Sequence, residues 1–149
     1  MPEKIKLTSE ELGLMSVFQN ISRANARDCV IDTKVGRVIF VVSKGEMGLA
    51  IGKAGETIKK VQKAIGKQVE LVEWSDDAKQ FILNSLNPEY VSEIRMNEKA
   101  DGSMSATVVV EEKKKGAILG KGGRNAEKAR LLAKRYFSVD TIQIVTPQQ

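Results

Sequence analysis

The sequence predicts an α+β protein made of two tandem copies of one small unit, each a three-stranded sheet packed with helices. Three observations lead to this fold class. The segment IGKAGETI at residues 51–58 returns 68 residues later as LGKGGRNA at residues 119–126, with both glycines and the lysine aligned. Segments of helical and strand period follow in the same order around each copy. Only one or two residues separate the last strand of the first copy from the first helix of the second.

The first copy begins with a helix and a hairpin. Thr8 and Glu11 have the spacing of a capping box, which marks a helix start. A strand is predicted around residues 29–32, and a turn at 34–36 leads into a second strand at 37–42, where β-branched residues suit a sheet. The apolar residues at helical period after the capping box are Leu12, Met15, Phe18 and Ile21.

The glycine loop of the first copy is flanked by helices. A short turn or helix leads into it, and a longer helix follows to about Ala64. Gly66 is predicted to close that helix, and residues 68–74 form the third strand. The longer helix has an apolar side with Ile58, Val61 and Ile65, and another side on which Lys59, Lys63 and Lys67 recur every four residues.

The second copy repeats this order. A helix is predicted over residues 76–86, and Asn87 and Pro88 end it. Two strands follow, and Asp101 and Gly102 form the turn between them. The inward residues of the helix are Ala78, Phe81, Ile82 and Leu86, and the residues that alternate along the two strands are Tyr90, Ile94, Met96, Met104, Ala106, Val108 and Val110.

The second loop has the same surroundings as the first. Residues 113–119 lead into it, residues 125–137 form the helix after it, and residues 141–145 form the last strand. The boundary between the copies is placed after Ser75, which gives domains of residues 1–75 and 76–149. So short a joint predicts two units fixed against each other, not two units on a flexible tether.

Composition excludes several classes of function. The 42% apolar and 29% charged residues are typical of a soluble globular protein. No apolar run approaches the roughly 18 residues of a membrane span, and the N-terminal residues have mixed charge, unlike a secretory signal. We therefore predict a cytoplasmic protein without a membrane partner.

Cysteine and histidine usage argues against catalysis. The chain has one cysteine, Cys29, and no histidine, so it lacks a zinc cluster, the commonest metal ligand and the commonest general base. We predict no catalytic residues, no metal site and no cofactor. A Walker-type P-loop and a dinucleotide fingerprint are also absent from the sequence.

Positive charge collects around the two glycine loops. The chain carries a net charge of +5, and between residues 113 and 135 nine lysines or arginines stand against one acid. Residues 44–67 hold six basic residues and two acids. Such clusters favour a polyanionic partner, although a basic helix face without a ligand shows the same pattern.

The residue types of the loops suit a phosphate. Two glycines three apart, at the start of a helix, leave backbone N–H groups near the positive end of the helix dipole, and such a site attracts phosphate. Lys53 and Lys121 add a charge between the glycines. Ile51 and Leu119, which precede the loops, are expected to anchor them to the core and to floor a groove for a base.

The repetition strengthens this interpretation. One Gly-x-x-Gly pair would more often be a turn between helices, and we interpret Gly45 and Gly48 as turn geometry. The matched pair of loops, each followed by a basic helix, favours nucleic-acid binding. Aromatic residues make up only 5% of the chain, so a stacking platform is not expected and recognition would depend on the backbone and base edges.

These residues resemble the KH domain, whose Gly-x-x-Gly loop holds the backbone of about four single-stranded nucleotides. The element order resembles the prokaryotic, type II arrangement. Two such units with almost no linker are similar to the NusA-like transcription factors of archaea, and residues 50–55 and 118–124 carry that similarity. The resemblance implies an RNA-binding protein that acts in transcription elongation or termination.

The predicted partner is single-stranded RNA, with RNA polymerase as a further candidate, and we expect a monomer. The predicted RNA-binding residues are Gly52, Lys53, Ala54, Gly55 and Lys60 in the first copy, and Gly120, Lys121, Gly122, Gly123, Arg124 and Lys128 in the second.

Two alternatives stay open. The protein could be a scaffold that docks on RNA polymerase or a ribosomal particle with one or both RNA grooves inactive. Glu56, where the second copy has Arg124, makes the first copy the better candidate for lost RNA binding. An enzyme acting on RNA is the weaker alternative, because the usual catalytic groups are missing.

Overall fold

A computed structural model of the protein describes residues 6–86 and 88–147. Within these ranges, one compact unit ends at Trp74 and the other begins at Ser75. Each unit is a three-stranded sheet packed with helices, as the sequence predicts. No helix of the described ranges is both long enough and apolar enough to cross a bilayer.

The first unit has a sheet with its second strand in the middle. Strand β2 pairs antiparallel with β1 and parallel with β3, and all six residues of β2 are buried. Its elements are α1 (Ser9–Ser22), β1 (Ala26–Asp32), β2 (Arg37–Val42), α2 (Met47–Ile51), α3 (Glu56–Ile65) and β3 (Gln68–Glu73).

The start of α1 and the core beneath it follow from the sequence. The Thr8 hydroxyl accepts a hydrogen bond from the Glu11 amide at 3.1 Å, and the Thr8 amide donates to the Glu11 carboxylate at 2.7 Å, which confirms the predicted capping box. Phe18 of α1 stacks on Phe40 of β2, with ring centroids 4.5 Å apart. This contact attaches α1 to the middle of the sheet.

An ionic cluster centred on a buried arginine joins the three strands of the first unit. Arg37, at the start of β2, is 1% exposed. Its Nε donates to Asp32 at 2.9 Å, and one terminal nitrogen donates to Glu70 at 3.0 Å. Because Asp32 lies in β1 and Glu70 in β3, one guanidinium holds both outer strands to the central one.

The second unit repeats the topology of the first. Strand β5 is central, antiparallel to β4 and parallel to β6. Its elements are α4 (Ala78–Ser85), β4 (Val91–Glu98), β5 (Met104–Val110), α5 (Glu112–Leu119), α6 (Arg124–Phe137) and β6 (Val139–Val145). The core includes Ile82, Val108, Val110, Ile118, Ala129 and Ile142.

Several boundaries in the second unit differ from the prediction. Helix α4 begins at Ala78, two residues after the predicted start, because the Asp77 side chain accepts from the Gln80 amide and caps the helix there. Tyr90 lies in a short turn before β4, where Lys114 Nζ stands 4.7 Å from its ring centre. The predicted stop at Asn87 lies outside the described residues.

Strand β6 begins two residues before the predicted position. Ser138 takes a left-handed conformation, with φ of 56°, and ends α6. The chain therefore enters the sheet at once, and Val139 is buried.

Candidate nucleic-acid interface

The two glycine loops have the same backbone conformation. Gly52 has φ and ψ of 76° and 171°, and Gly120 has 78° and 169°. Two residues later, Ala54 and Gly122 are both left-handed, with φ of 55° and 66°. Different residues thus adopt one conformation, which indicates that the loop shape is set by its surroundings as well as by its own sequence.

Each loop ends directly in a helix. Gly55 and Gly123 are left-handed and precede the first residues of α3 and α6. Their amides donate to the carbonyl oxygens of Gly52 and Gly120, at 3.1 and 3.0 Å. These bonds close each loop into one compact turn, which brings together the predicted site residues of that loop.

Two backbone amides in each loop are not used in hydrogen bonds within the described part of the chain. Within residues 6–86 and 88–147, the N–H groups of Lys53 and Ala54 donate to no protein acceptor, and neither do those of Lys121 and Gly122. All four residues are exposed. Amides in this position, at the start of a helix, suit a bound anion.

The first glycine of each loop is required by packing. A β-carbon on Gly52 would lie 2.7 Å from Thr57 Cβ and 2.8 Å from the Thr57 amide nitrogen. On Gly120 it would lie 2.8 Å from Asn125 Cγ. The Asn125 side chain also donates to the Ala117 carbonyl at 3.4 Å, across the loop. Sequence reasoning missed Thr57 and Asn125, although they also align at the repeat offset.

The expected anchor of the first loop is wrong. Ile51 is 40% exposed, and the buried residue is its predecessor, Ala50. In the second unit Leu119 does pack against the core, but Ile118 beside it is fully buried. Helix α2 ends at Ile51. The residue of this helix that packs into the core is Ala50, one position before the residue that we predicted.

The charged residues of the predicted site fall into two sets by exposure. Lys53 and Lys121, between the glycines, are exposed. Lys60 in α3 is exposed, whereas Lys128 at the matching position of α6 and Arg124 are half-buried. All of them lie within the two loops or the first two turns of the following helices.

The aromatic residues are engaged within the protein. The Arg27 guanidinium lies 4.5 Å from the centre of the Trp74 ring, and Tyr136 packs edge-on against Phe81 at 5.4 Å. In the described part of the chain, no three histidine, cysteine or acidic side chains are grouped so that they could hold a metal ion.

Comparisons with known proteins agree with this geometry. A KH domain model matches residues 14–76 and again residues 78–145. The chain is 37% identical to the "Probable transcription termination protein NusA" of Halobacterium salinarum over 140 residues, covering 94% of this chain and 98% of the relative. The protein of that name from Methanocaldococcus jannaschii is 32% identical over 146 residues, covering 98% of this chain and 78% of the relative.

A solved structure gives the same result. The crystal structure of APE1850 superposes with a TM-score of 0.82 at 39% sequence identity, and it covers 93% of this chain and 99% of its own. The predicted pair of type II KH domains is therefore confirmed. Two domain matches along the chain, and relatives that it spans almost end to end, show that it belongs to the KH domain family, among the archaeal NusA-like proteins.

Proposed function

We propose that this protein binds single-stranded RNA during transcription elongation or termination and holds the RNA backbone with its two Gly-x-x-Gly loops. The observation that carries the proposal is the pair of loops with one backbone conformation, each with two exposed residues whose amides donate to no acceptor in the described part of the chain. The names of the relatives support the link to transcription.

Each loop would bind a phosphate in the same way. Phosphate oxygens would accept from the amides of Lys53 and Ala54, or of Lys121 and Gly122, at the positive end of the following helix. The lysine side chains add charge there. No specificity arises from these contacts, since every nucleotide has the same backbone, so sequence preference would come from base edges.

Aspartate substitutions in each loop test the proposal. We expect Lys53→Asp/Ala54→Asp and Lys121→Asp/Gly122→Asp each to weaken the binding of a short RNA about tenfold or more, because both put negative charge where the phosphate would bind. Fluorescence anisotropy over several salt concentrations measures the loss. Aspartate tolerates the left-handed conformation of Ala54 and Gly122 better than most residues, so the fold should survive.

The control is circular dichroism of each variant, which should match the unmodified protein. Binding that is indifferent to both pairs of substitutions, in folded protein, would refute the role of the loops. Absence of RNA binding by the unmodified protein would refute the proposal as a whole.

A second candidate function is favoured by one residue of the first unit. Glu56, the first residue of α3, is exposed beside the loop, where its carboxylate would repel a phosphate. The first unit would then dock on a protein, such as RNA polymerase or a ribosomal particle, and the second would bind the RNA. Under either function we propose a monomer in the cytoplasm.

A charge substitution separates these two candidates. With the second loop inactivated by Lys121→Asp/Gly122→Asp, we expect Glu56→Arg to strengthen RNA binding by the first unit about fivefold at 0.1 M salt, the effect of one additional phosphate contact. Arg124→Glu, in a protein whose first loop is inactivated, is the matched opposite change and should weaken binding. Anisotropy that shows no RNA binding by the first unit, with or without Glu56→Arg, would favour the docking function.

A further inference from the structure

One side of α3 has a charge pattern that α6 lacks. Glu56, Lys59, Lys60 and Lys63 are spaced at i, i+3, i+4 and i+7, so they share one side of the helix, and all four are exposed. We call Lys59, Lys60 and Lys63 the lysine stripe. Lys67, which the sequence pattern placed in the same row, follows the left-handed Gly66 and lies outside the helix.

The matching positions of α6 are occupied differently. Arg124 stands beside the loop, and Lys128 and Leu131 occupy the positions of Lys60 and Lys63. Glu127 replaces Lys59, and its carboxylate pairs with Arg130 at 3.0 Å. Both loops thus have a lysine between their glycines, but the second unit adds Arg124 at the start of its helix, whereas the first has an acid there and adds Lys59 and Lys63 further along the helix.

Two features of the lysine stripe are unfavourable for the helix, although Glu56 in the first turn and Lys63 in the last turn suit the helix dipole. Like charges at i, i+4 destabilise a helix by about 0.2–0.5 kcal/mol per pair, and Lys59 and Lys63 form such a pair. Lys59 also lies near the positive end of the helix dipole. In the part of the chain that the structure describes, none of the three lysines makes an ion pair or a side-chain hydrogen bond. A bound anion would offset these repulsions.

We infer that the lysine stripe is a second phosphate-binding surface, on which the RNA backbone continues after it leaves the first loop. The inference depends on the RNA binding proposed above and adds a difference between the units. The second unit would hold the RNA mainly at its loop, and the first would hold it along α3. The occupant is RNA because the stripe starts one helical turn from a loop that suits phosphate, and three exposed cations complement a chain of phosphates.

The test compares a short and a long RNA on the full chain with its second loop inactivated by Lys121→Asp/Gly122→Asp. A five-nucleotide RNA is about the length that one loop holds, and a fifteen-nucleotide RNA also reaches the stripe. The variant is Lys59→Gln/Lys63→Gln, which keeps Lys60 and replaces lysine with another good helix former. The matched control is Lys34→Gln/Lys99→Gln, which removes two exposed lysines outside the stripe.

We expect the stripe variant to bind the long RNA about tenfold more weakly at 0.1 M salt, with a salt slope shallower by about 1.4, the effect of two lost contacts on a single strand. Binding of the short RNA should stay within about twofold. The control variant should match the protein with an unmodified stripe.

Two results would overturn the inference. In the first, the stripe and control variants bind the long RNA equally, which would make the stripe an ordinary solvated surface. In the second, the protein with an inactive second loop binds neither RNA while the unmodified chain binds both. That result would show that the first unit does not bind RNA, whereas the second unit would still account for the proposed RNA binding.

Discussion

Replacing Arg37 with alanine is expected to destabilise the first unit by about 3–5 kcal/mol. The substitution leaves the carboxylates of Asp32 and Glu70 without the guanidinium that pairs with both, in a place where their side chains are only 11% and 17% exposed. It also removes the group that ties both outer strands to β2. Urea unfolding measures the loss, with the fluorescence of Trp74, the single tryptophan of the chain, as a signal from the end of this unit.

An exposed ion pair supplies the control for this result. Arg95 pairs with Glu93 at 2.8 Å, but both side chains are more than half exposed. Such surface pairs contribute about 0–1 kcal/mol, so Arg95→Ala should barely change the unfolding midpoint measured by circular dichroism. A loss below about 1 kcal/mol for Arg37→Ala would show that the ionic cluster does not stabilise the sheet.

Alanine at the first glycine of either loop is expected to cost about 3 kcal/mol, the sum of backbone strain and overpacking. Gly52 and Gly120 have positive φ with ψ near 170°, a conformation that is almost confined to glycine. The new methyl group would also collide with the residue at the second position of the following helix, Thr57 or Asn125. Thermal and urea unfolding of Gly52→Ala and Gly120→Ala measure the cost.

The chain offers its own control for these variants. Gly122→Ala introduces the residue that the first loop already has at this position, Ala54, and in the described part of the chain a β-carbon there meets no atom within 4 Å beyond its chain neighbours. Only the left-handed φ remains as a cost, about 1–2 kcal/mol. Equal losses for Gly120→Ala and Gly122→Ala would contradict the packing role that we assign to the first glycine.

Regular elements were predictable where one local signal determined them. The capping box at Thr8 positions the start of α1, and the β-branched run at Arg37–Val42 forms β2 with the predicted bounds. Both loops were predictable because the same glycine-containing segment occurs twice in the sequence. These features depend on contacts between residues that are close in the chain, which is why sequence patterns identify them.

Other features depend on a choice between neighbouring residues that the sequence pattern does not determine. Asp76 and Asp77 can both cap α4, and the Ser75 hydroxyl, which accepts from the Asp77 amide at 3.2 Å, favours the later start. The choice of Ala50 over Ile51 as the buried residue is set by how α2 meets the sheet, and hydrophobicity alone points to the larger side chain. The contacts of Gly52 and Gly120 across their loops likewise appear only in three dimensions.

The agreement of the two loops, despite Ala54 in one and Gly122 in the other, bears on how such a protein can evolve. Each loop is packed within its own unit, where the first glycine meets the residue five positions later, and the exposed lysines on the outward side of α3 are not among the atoms nearest to that glycine. After a duplication, mutations on that side could accumulate without disturbing the loop. The two copies would keep the same loop conformation for binding a ligand, while their preferences among ligands would diverge.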